Sequence, residues 1–180
     1  ILRCLVGSEM CIRDSYDNAY QFFQRALEID ERVSGPNSIT VSSDYYNLAD
    51  VSYNMYQFSK SLSYLRKALA IRKKYYSSDD IEVVVLIKLL AGIYVKLNRS
   101  DRAEALYFWA ADKFERNPET DILQLSTHYS DMASFFRERG YPGDYDKARS
   151  YYQKAERGMK QIYEDKPHPE MAAFYDGYAL

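Results

Sequence analysis

Apolar residues return along this chain at a fixed interval. The stretch Tyr16-Asp17-Asn18-Ala19-Tyr20-Gln21-Phe22-Phe23-Gln24-Arg25-Ala26-Leu27-Glu28-Ile29 sets the pattern: an aromatic, Ala three on, an aromatic four on, then Ala-Leu three on. That spacing lines one face of an α-helix. Phe58, Ser61, Leu65, Ala68, Leu69 and Ile71 repeat it 42 residues later (68 − 26). Ala103, Tyr107 and Ala110 repeat it after another 42 (110 − 68), and Tyr145, Ala148, Tyr152 and Ala155 after 45 (155 − 110). A second pattern lies between these copies: Leu48-Ala49, Leu90-Ala91 and Met132-Ala133, spaced 42 and 42. A period of this size predicts a stacked array of helices.

Breakers and caps divide the pattern into elements. One helix runs from 16 to about 33 and stops at Gly35-Pro36, where Gly takes the left-handed cap and Pro cannot continue. The next runs from 38 to about 55, and a tight turn at Tyr56-Gln57 leads into 58–76. Ser77-Ser78-Asp79-Asp80 offers cap oxygens and acids to a helix over 81–97. Asn98-Arg99-Ser100 turns into 101–116, and Asn117-Pro118-Glu119 reads as N-cap, N1 and first-turn acid of a helix that ends at Gly140. A turn at Tyr141-Pro142-Gly143-Asp144 accounts for the longer last interval. A helix over 145–163 follows, and Lys166-Pro167-His168-Pro169 opens one more. The order is a lone second helix, three helix pairs and a final partial first helix. Ala19, Ala26, Ala49, Ala68, Ala91, Ala103, Ala110, Ala133, Ala148 and Ala155 are expected where helices approach closely. Phe23, Leu65, Tyr107 and Tyr152 are expected to fill the spaces beside them. Gly158, inside a helix, costs about 1 kcal/mol against Ala and reads as close packing or as simply tolerated.

Residues 1–15 stand outside the period. Leu5-Val6-Gly7-Ser8-Glu9-Met10-Cys11-Ile12-Arg13-Asp14-Ser15 resembles the in-frame translation of a transposase adapter from sequencing libraries, ending ATG TGT ATA AGA GAC AG. A secretory apolar segment fits poorly, because Arg3, Glu9, Arg13 and Asp14 interrupt it. The expectation is therefore a non-native stretch over 1–15 and a repeat-array fragment over 16–180, truncated at both ends. Cys4 and Cys11 both lie in the first stretch, so the remainder offers no disulfide, thiol nucleophile or cysteine zinc site.

The paired patterns resemble the tetratricopeptide repeat, which carries Leu-small in its first helix and Ala-x-x-x-aromatic-x-x-Ala in its second. Leu48, Ala49, Ser61, Leu65 and Ala68 fill those places once, with Ser and Leu as departures. Leu90, Ala91, Tyr94, Ala103, Tyr107 and Ala110 fill them again, and Met132, Ala133, Phe136, Ala148, Tyr152 and Ala155 a third time. The 42-residue period, the basic-Ala-Leu-x-Ile endings at Arg25 and Lys67, and the Gly35-Pro36 and Pro167-His168-Pro169 loops resemble the kinesin-light-chain type. The resemblance implies an all-α, right-handed superhelical solenoid of antiparallel helix pairs. It also implies a concave groove lined by first helices. Carried over by position, that groove holds Tyr46, Asn47, Asp50, Tyr53 and Asn54, then Lys88, Leu89, Gly92 and Lys96, then Ser130, Asp131, Ser134, Arg137 and Glu138. Asn47 matches an Asn that bonds a peptide backbone in this type; Leu89 and Asp131 depart from it. The family's chaperone-tail clamp is rejected, because Gly92 follows Lys88 and Asp131 replaces the Asn it needs.

Charge and composition narrow the partners. A net charge of −2 argues against nucleic acid and anionic membranes as partners. Arg72-Lys73-Lys74 with Tyr75-Tyr76 mimics a nucleic-acid patch but sits at a helix C-terminus, where cations are favoured anyway. No apolar run approaches the ~18 residues of a membrane helix. The 19 tyrosines fall mostly on repeat positions, which assigns them to packing. Trp109 reads as packing too. His128 and His168 read as exposed or capping histidines, since no carboxylate stands at ligand spacing. Asp79-Asp80 reads as a helix cap. There is no catalytic or phosphate-binding motif. The expected function is a non-catalytic, cytoplasmic scaffold or adaptor without cofactor. It would bind a protein or peptide through Tyr46, Asn47, Asp50, Tyr53, Asn54, Lys88, Lys96, Ser130, Asp131 and Arg137, with no nucleic-acid, membrane or small-molecule partner. Two alternatives stand beside it: a regulatory or sensor region of a larger kinase or transcription regulator, and a motor-cargo adaptor.

Overall fold

The computed structural model describes residues 2–163 and 168–178, with the side chains of 2–14, 170, 173 and 176–178 left aside. Every regular element among them is an α-helix: α1 Leu2–Val33, α2 Ile39–Asn54, α3 Phe58–Arg72, α4 Ile81–Lys96, α5 Ser100–Arg116, α6 Ile122–Arg139, α7 Asp144–Tyr163 and α8 Pro169–Tyr178. The helices form two compact units, Ile1–Asn98 and Arg99–Leu180. In the first, α1 packs on α2, α2 on α3 and α3 on α4; in the second, α5 packs on α6 and α6 on α7. The boundary falls in the turn between α4 and α5, inside the second predicted pair.

The repeat positions are the core. Leu48, Leu90 and Met132 are buried, as are Ala49, Ala91 and Ala133 beside them. Ser61, Leu65 and Ala68, then Ala103, Tyr107 and Ala110, then Ala148, Tyr152 and Ala155 are buried on the second helices. Ser61 keeps its hydroxyl in this apolar setting by donating to the Ala49 carbonyl at 2.7 Å. On α1 the pattern is only half-buried at Ala19, Phe23 and Ala26. Gly158 is the close approach: a Cβ there would run into the Ser126 side chain on α6.

Several boundaries differ from expectation. Helix α1 begins at Leu2, not at Tyr16. Its first half lacks the apolar period but holds good helix formers and no proline, and extending a helix already nucleated costs little. Asn117 does not cap α6. Its Oδ1 accepts from the Glu119 amide in a turn, and Asp121 caps instead, accepting from the Gln124 amide at 2.6 Å. Helix α3 stops at Arg72, ahead of the expected Tyr76. Asp80 caps α4 as expected; Ser38, expected as the first residue of its helix, is instead the N-cap of α2, and Gly140 closes α6 at φ +66°. Lys166 and Pro167 of the predicted last opening lie outside the described residues; α8 starts at Pro169.

Candidate functional site

In the first unit the predicted groove residues occupy one face of α2. Val41, Leu48, Ala49, Val51 and Ser52 point into the core. Tyr46, Asn47 and Tyr53 are half-buried, while Asp50 and Asn54 are exposed. Asn54 is ordered by its own helix: its Nδ2 donates to the Asp50 carbonyl at 3.0 Å and reaches Asp50 Oδ2 at 3.5 Å. Tyr53 sets its ring edge-on to Phe58 at 5.4 Å across the α2–α3 turn. Among the described residues Asn47 makes no side-chain hydrogen bond, so its carboxamide presents a donor and an acceptor. On α4, Lys88, Leu89 and Gly92 are half-buried and Lys96 is exposed.

In the second unit the predicted residues lie on α6. Ser130, Ser134 and Arg137 are half-buried, Asp131 and Glu138 exposed. Ser134 turns to the neighbouring helix, its hydroxyl 3.1 Å from the Tyr152 hydroxyl.

The histidine reading needs correction. His128 is neither exposed nor a cap: it is fully buried, its Nε2 lies 3.0 Å from the Tyr107 carbonyl, and Phe114 and Tyr107 flank the ring. The repeat period makes position 128 a core position, and a backbone carbonyl satisfies the ring nitrogen. His168 stacks on Tyr163 at 4.1 Å. Among the described residues no three His, Cys, Asp or Glu side chains gather to hold a metal. No described helix is long and apolar enough to cross a membrane. Lys113 sits 5.7 Å over the half-buried Trp109 ring.

Sequence reasoning passed over two polar constellations. On one side of the first unit, Tyr45 donates to Glu31 at 3.0 Å and stacks on Tyr64, whose hydroxyl is 2.7 Å from that of Tyr20. Burial raises the Tyr45 phenol, and Glu31 adds to the effect. Burial, then Tyr20, pushes Tyr64 up to about 12. The second constellation closes the α6–α7 corner. Arg139 grips Asp144 with two bonds, 2.7 and 2.8 Å, and donates to Glu104 at 2.6 Å. Its guanidinium lies over Phe135, Phe136 and Tyr141 at about 5 Å. The hydrogen bonds from Arg139 hold the Asp144 carboxyl below the ordinary range. Recurrence was the available signal: Tyr45 and Tyr129, and Glu31 and Glu115, share one register two repeats apart.

Residues 2–74 match the family model of the tetratricopeptide repeat. Among solved structures, BtubC (BKLC) from P. vanneervenii superposes with a TM-score of 0.73 at 21% identity, over 87% of this chain and 61% of that one. The chain thus spans about three fifths of the length of that structure. The TPR-like repeats ascribed to a Podosopora anserina kinesin light chain superpose with a TM-score of 0.65 at 12% identity, over 83% of this chain and 70% of theirs. No curated protein matches the chain in sequence. The fold beyond residue 74 is shared with these structures.

Proposed function

From the tetratricopeptide-repeat match over residues 2–74 and an all-α fold shared with kinesin-light-chain-like repeat structures, we propose that this chain is a non-catalytic scaffold or adaptor. It captures an extended peptide segment of a protein partner along the first-helix faces. The observation that supports this most is the α2 face. Asn47 offers an unspent carboxamide between Tyr46 and Asp50, on a helix whose opposite side is locked into the core. A carboxamide can bond both an N–H and a C=O of an extended backbone, which holds a peptide without selecting its sequence. Tyr46 supplies apolar area beside it at low entropic cost, and Lys88 and Lys96 on α4 orient acidic groups. Ser130, Asp131 and Arg137 on α6 contribute in the same manner within the second unit.

Selection of peptides on the immobilised chain from a random display library tests the reading. The selected peptides are expected to lose about tenfold in affinity with Asn47→Ala and more with Tyr46→Ala, at unchanged melting temperature. Tyr53→Ala with Asn54→Ala is the weaker probe, because those side chains also order the α2–α3 turn. Peptides whose affinity ignores Tyr46 and Asn47 would place the binding surface elsewhere.

A further inference from the structure

Between residues 51 and 78 the chain carries Lys60, Arg66, Lys67, Arg72, Lys73 and Lys74 and no acidic residue. Arg72 is neutralised by Glu82 and also bonds Ser42. The other five are exposed, and the partners of Lys60, Lys67, Arg66 and Lys74 are neutral groups. Lys60 lies 5.6 Å over Tyr20, and Lys67 lies 4.9 Å over Tyr45 and 6.0 Å over Tyr64. Arg66 donates to the Tyr94 hydroxyl at 2.7 Å, and Lys74 to Asn37 at 2.5 Å. Among the described residues none of the five forms an ion pair.

The second unit shows what is missing. Lys147 and Lys154 on α7 hold the registers of Lys60 and Lys67 on α3. There Lys147 stands 3.7 Å from Glu104 and 3.9 Å from Asp144, and Lys154 stands 3.8 Å from Glu115. The places of Glu104 and Asp144 are taken in the first unit by Tyr20 and Gln57, which cannot neutralise a lysine. Glu31 holds the place of Glu115 and, like it, accepts from the tyrosine of the next helix, but among the described residues no ion pair joins it to Lys67.

We propose that the exposed face of α3 docks an acidic helix of a protein partner, one with carboxylates at seven-residue spacing. Lys60 and Lys67, and Arg66 and Lys73, are two pairs seven residues apart, about 10.5 Å along the helix axis. A helix laid alongside with acids at the same interval meets both rungs. Lysine heads resting on aromatic rings are already confined, so little freedom is lost on binding. A net charge of −2 disfavours the extended polyanion of a nucleic acid. This surface is separate from the α2 face and does not rest on it.

The test uses the full chain and a fluorescein-labelled, alanine-based helical peptide with glutamates every seventh residue. A Gln-for-Glu copy and a ~20-nucleotide single-stranded DNA serve as comparators. The Glu peptide is expected to bind, to weaken with salt, and to lose roughly tenfold with Lys60→Gln, Lys67→Gln and Lys73→Gln combined. The matching triple Lys→Arg variant is expected to keep binding. Gln57→Asp places the second unit's carboxylate near Lys60 and adds an N-cap to α3. It is expected to weaken binding about threefold without lowering the melting temperature, separating charge from folding. Equal binding of Glu and Gln peptides, indifference to the triple Lys→Gln change, or tighter binding of the DNA would overturn the proposal.

Discussion

Tyr45 in the first unit and Tyr129 in the second occupy one register two repeats apart (45 to 129), and their surroundings recur with them. Each donates to a glutamate on the preceding helix, Glu31 at 3.0 Å and Glu115 at 2.6 Å. Each stacks on a tyrosine of the following helix, Tyr64 at 6.2 Å and Tyr151 at 6.0 Å. Each lies under a lysine, Lys67 at 4.9 Å and Lys154 at 5.0 Å. The intervening repeat puts Lys73, Ile87, Leu106 and Trp109 in these four registers, and the clamp is absent there. The clamps diverge in how charge is closed. In the second unit the lysine joins the glutamate at 3.8 Å, and the nearby corner buries a paired arginine and aspartate. In the first unit Met55 and Gln57 stand at the corner registers. Recurrent aromatic packing can therefore hold three helices together with or without an ionic lock, and the charges are free to serve either rigidity or recognition.

The largest effect should come from opening the locked corner. Asp144 is 1% exposed and Arg139 8%. Asp144→Ala leaves a buried guanidinium with Glu104 alone and frees the Tyr141 amide that Asp144 accepts from at 3.0 Å. A loss of about 3 kcal/mol is expected in urea denaturation. Gln57→Ala, at the corresponding corner of the first unit, should cost under about 1 kcal/mol. Equal losses would erase the distinction between the two corners.

Acidity should separate the units next. Asp44 is 7% exposed and faces Asp30 across the α1–α2 contact; burial first, then Asp30, pushes its carboxyl up to about 6. The folded chain thus keeps this proton to higher pH than the unfolded chain does. From pH ~6 down to ~4 the first unit should gain on the order of 1–2 kcal/mol, and Asp44→Asn should abolish the gain. Asp144 has the opposite sign. Its folded value is lowered, so its contribution is intact above the ordinary carboxylate range and is lost as the pH falls through that lowered value. Hydrogen exchange read helix by helix at pH 5 and 7.5 distinguishes α1–α2 from α6–α7. Uniform behaviour would show that neither carboxylate controls its own unit.

The fold was legible because burial in a repeat leaves a period, and Leu48, Leu90 and Met132 with their alanines could be read without coordinates. Gly140 and Asp80 were legible as chain punctuation. Asn117 was misread because Asn and Asp cap by the same chemistry, and only the backbone decides between Asn117 and Asp121. His128 was misread because a polar residue on a core face is indistinguishable from a surface one until its hydrogen-bond partner, the Tyr107 carbonyl, is known. The α2 face could be placed by register, yet nothing in the sequence distinguishes the engaged amide of Asn54 from the unspent one of Asn47. The clamps escaped because their four members come from three helices. Their alignment appears only when two repeats are compared rather than one repeat and its neighbour.

Smaller effects test whether the two clamps are equivalent. Tyr129→Phe removes a short bond to a carboxylate whose lysine partner is also present, and about 1 kcal/mol should be lost. Tyr45→Phe removes a longer bond to Glu31, and the loss should be less. A double change, Tyr129→Phe with Lys154→Gln, is expected to fall short of the sum of the single losses, because both side chains act on Glu115. Additive losses would mean that the phenol and the ammonium work independently and that the cluster is no network.

The smallest effect concerns the turn that closes each first helix. A left-handed residue recurs there at one register: Tyr56 at φ +59°, Asn98 at +55° and Gly140 at +66°. Gly adopts this backbone freely and Asn with little strain, but Tyr pays a steric cost of about 1 kcal/mol. Tyr56 is 82% exposed, and its ring sits edge-on to Phe58 at 6.1 Å. That contact recovers part of the strain. Tyr56→Gly should therefore stabilise the first unit by only about 0.5 kcal/mol, the relief of strain being offset by the lost ring contact and the freer unfolded chain. Tyr56→Asn should approach the same value, and Gly140→Tyr should cost the second unit about 1 kcal/mol or more, because it puts a tyrosine on a left-handed backbone, with the Tyr145 hydroxyl 3.9 Å from the added Cβ. If Tyr56→Gly is destabilising, the ring contact outweighs the strain, and the tyrosine belongs to the packing of the turn.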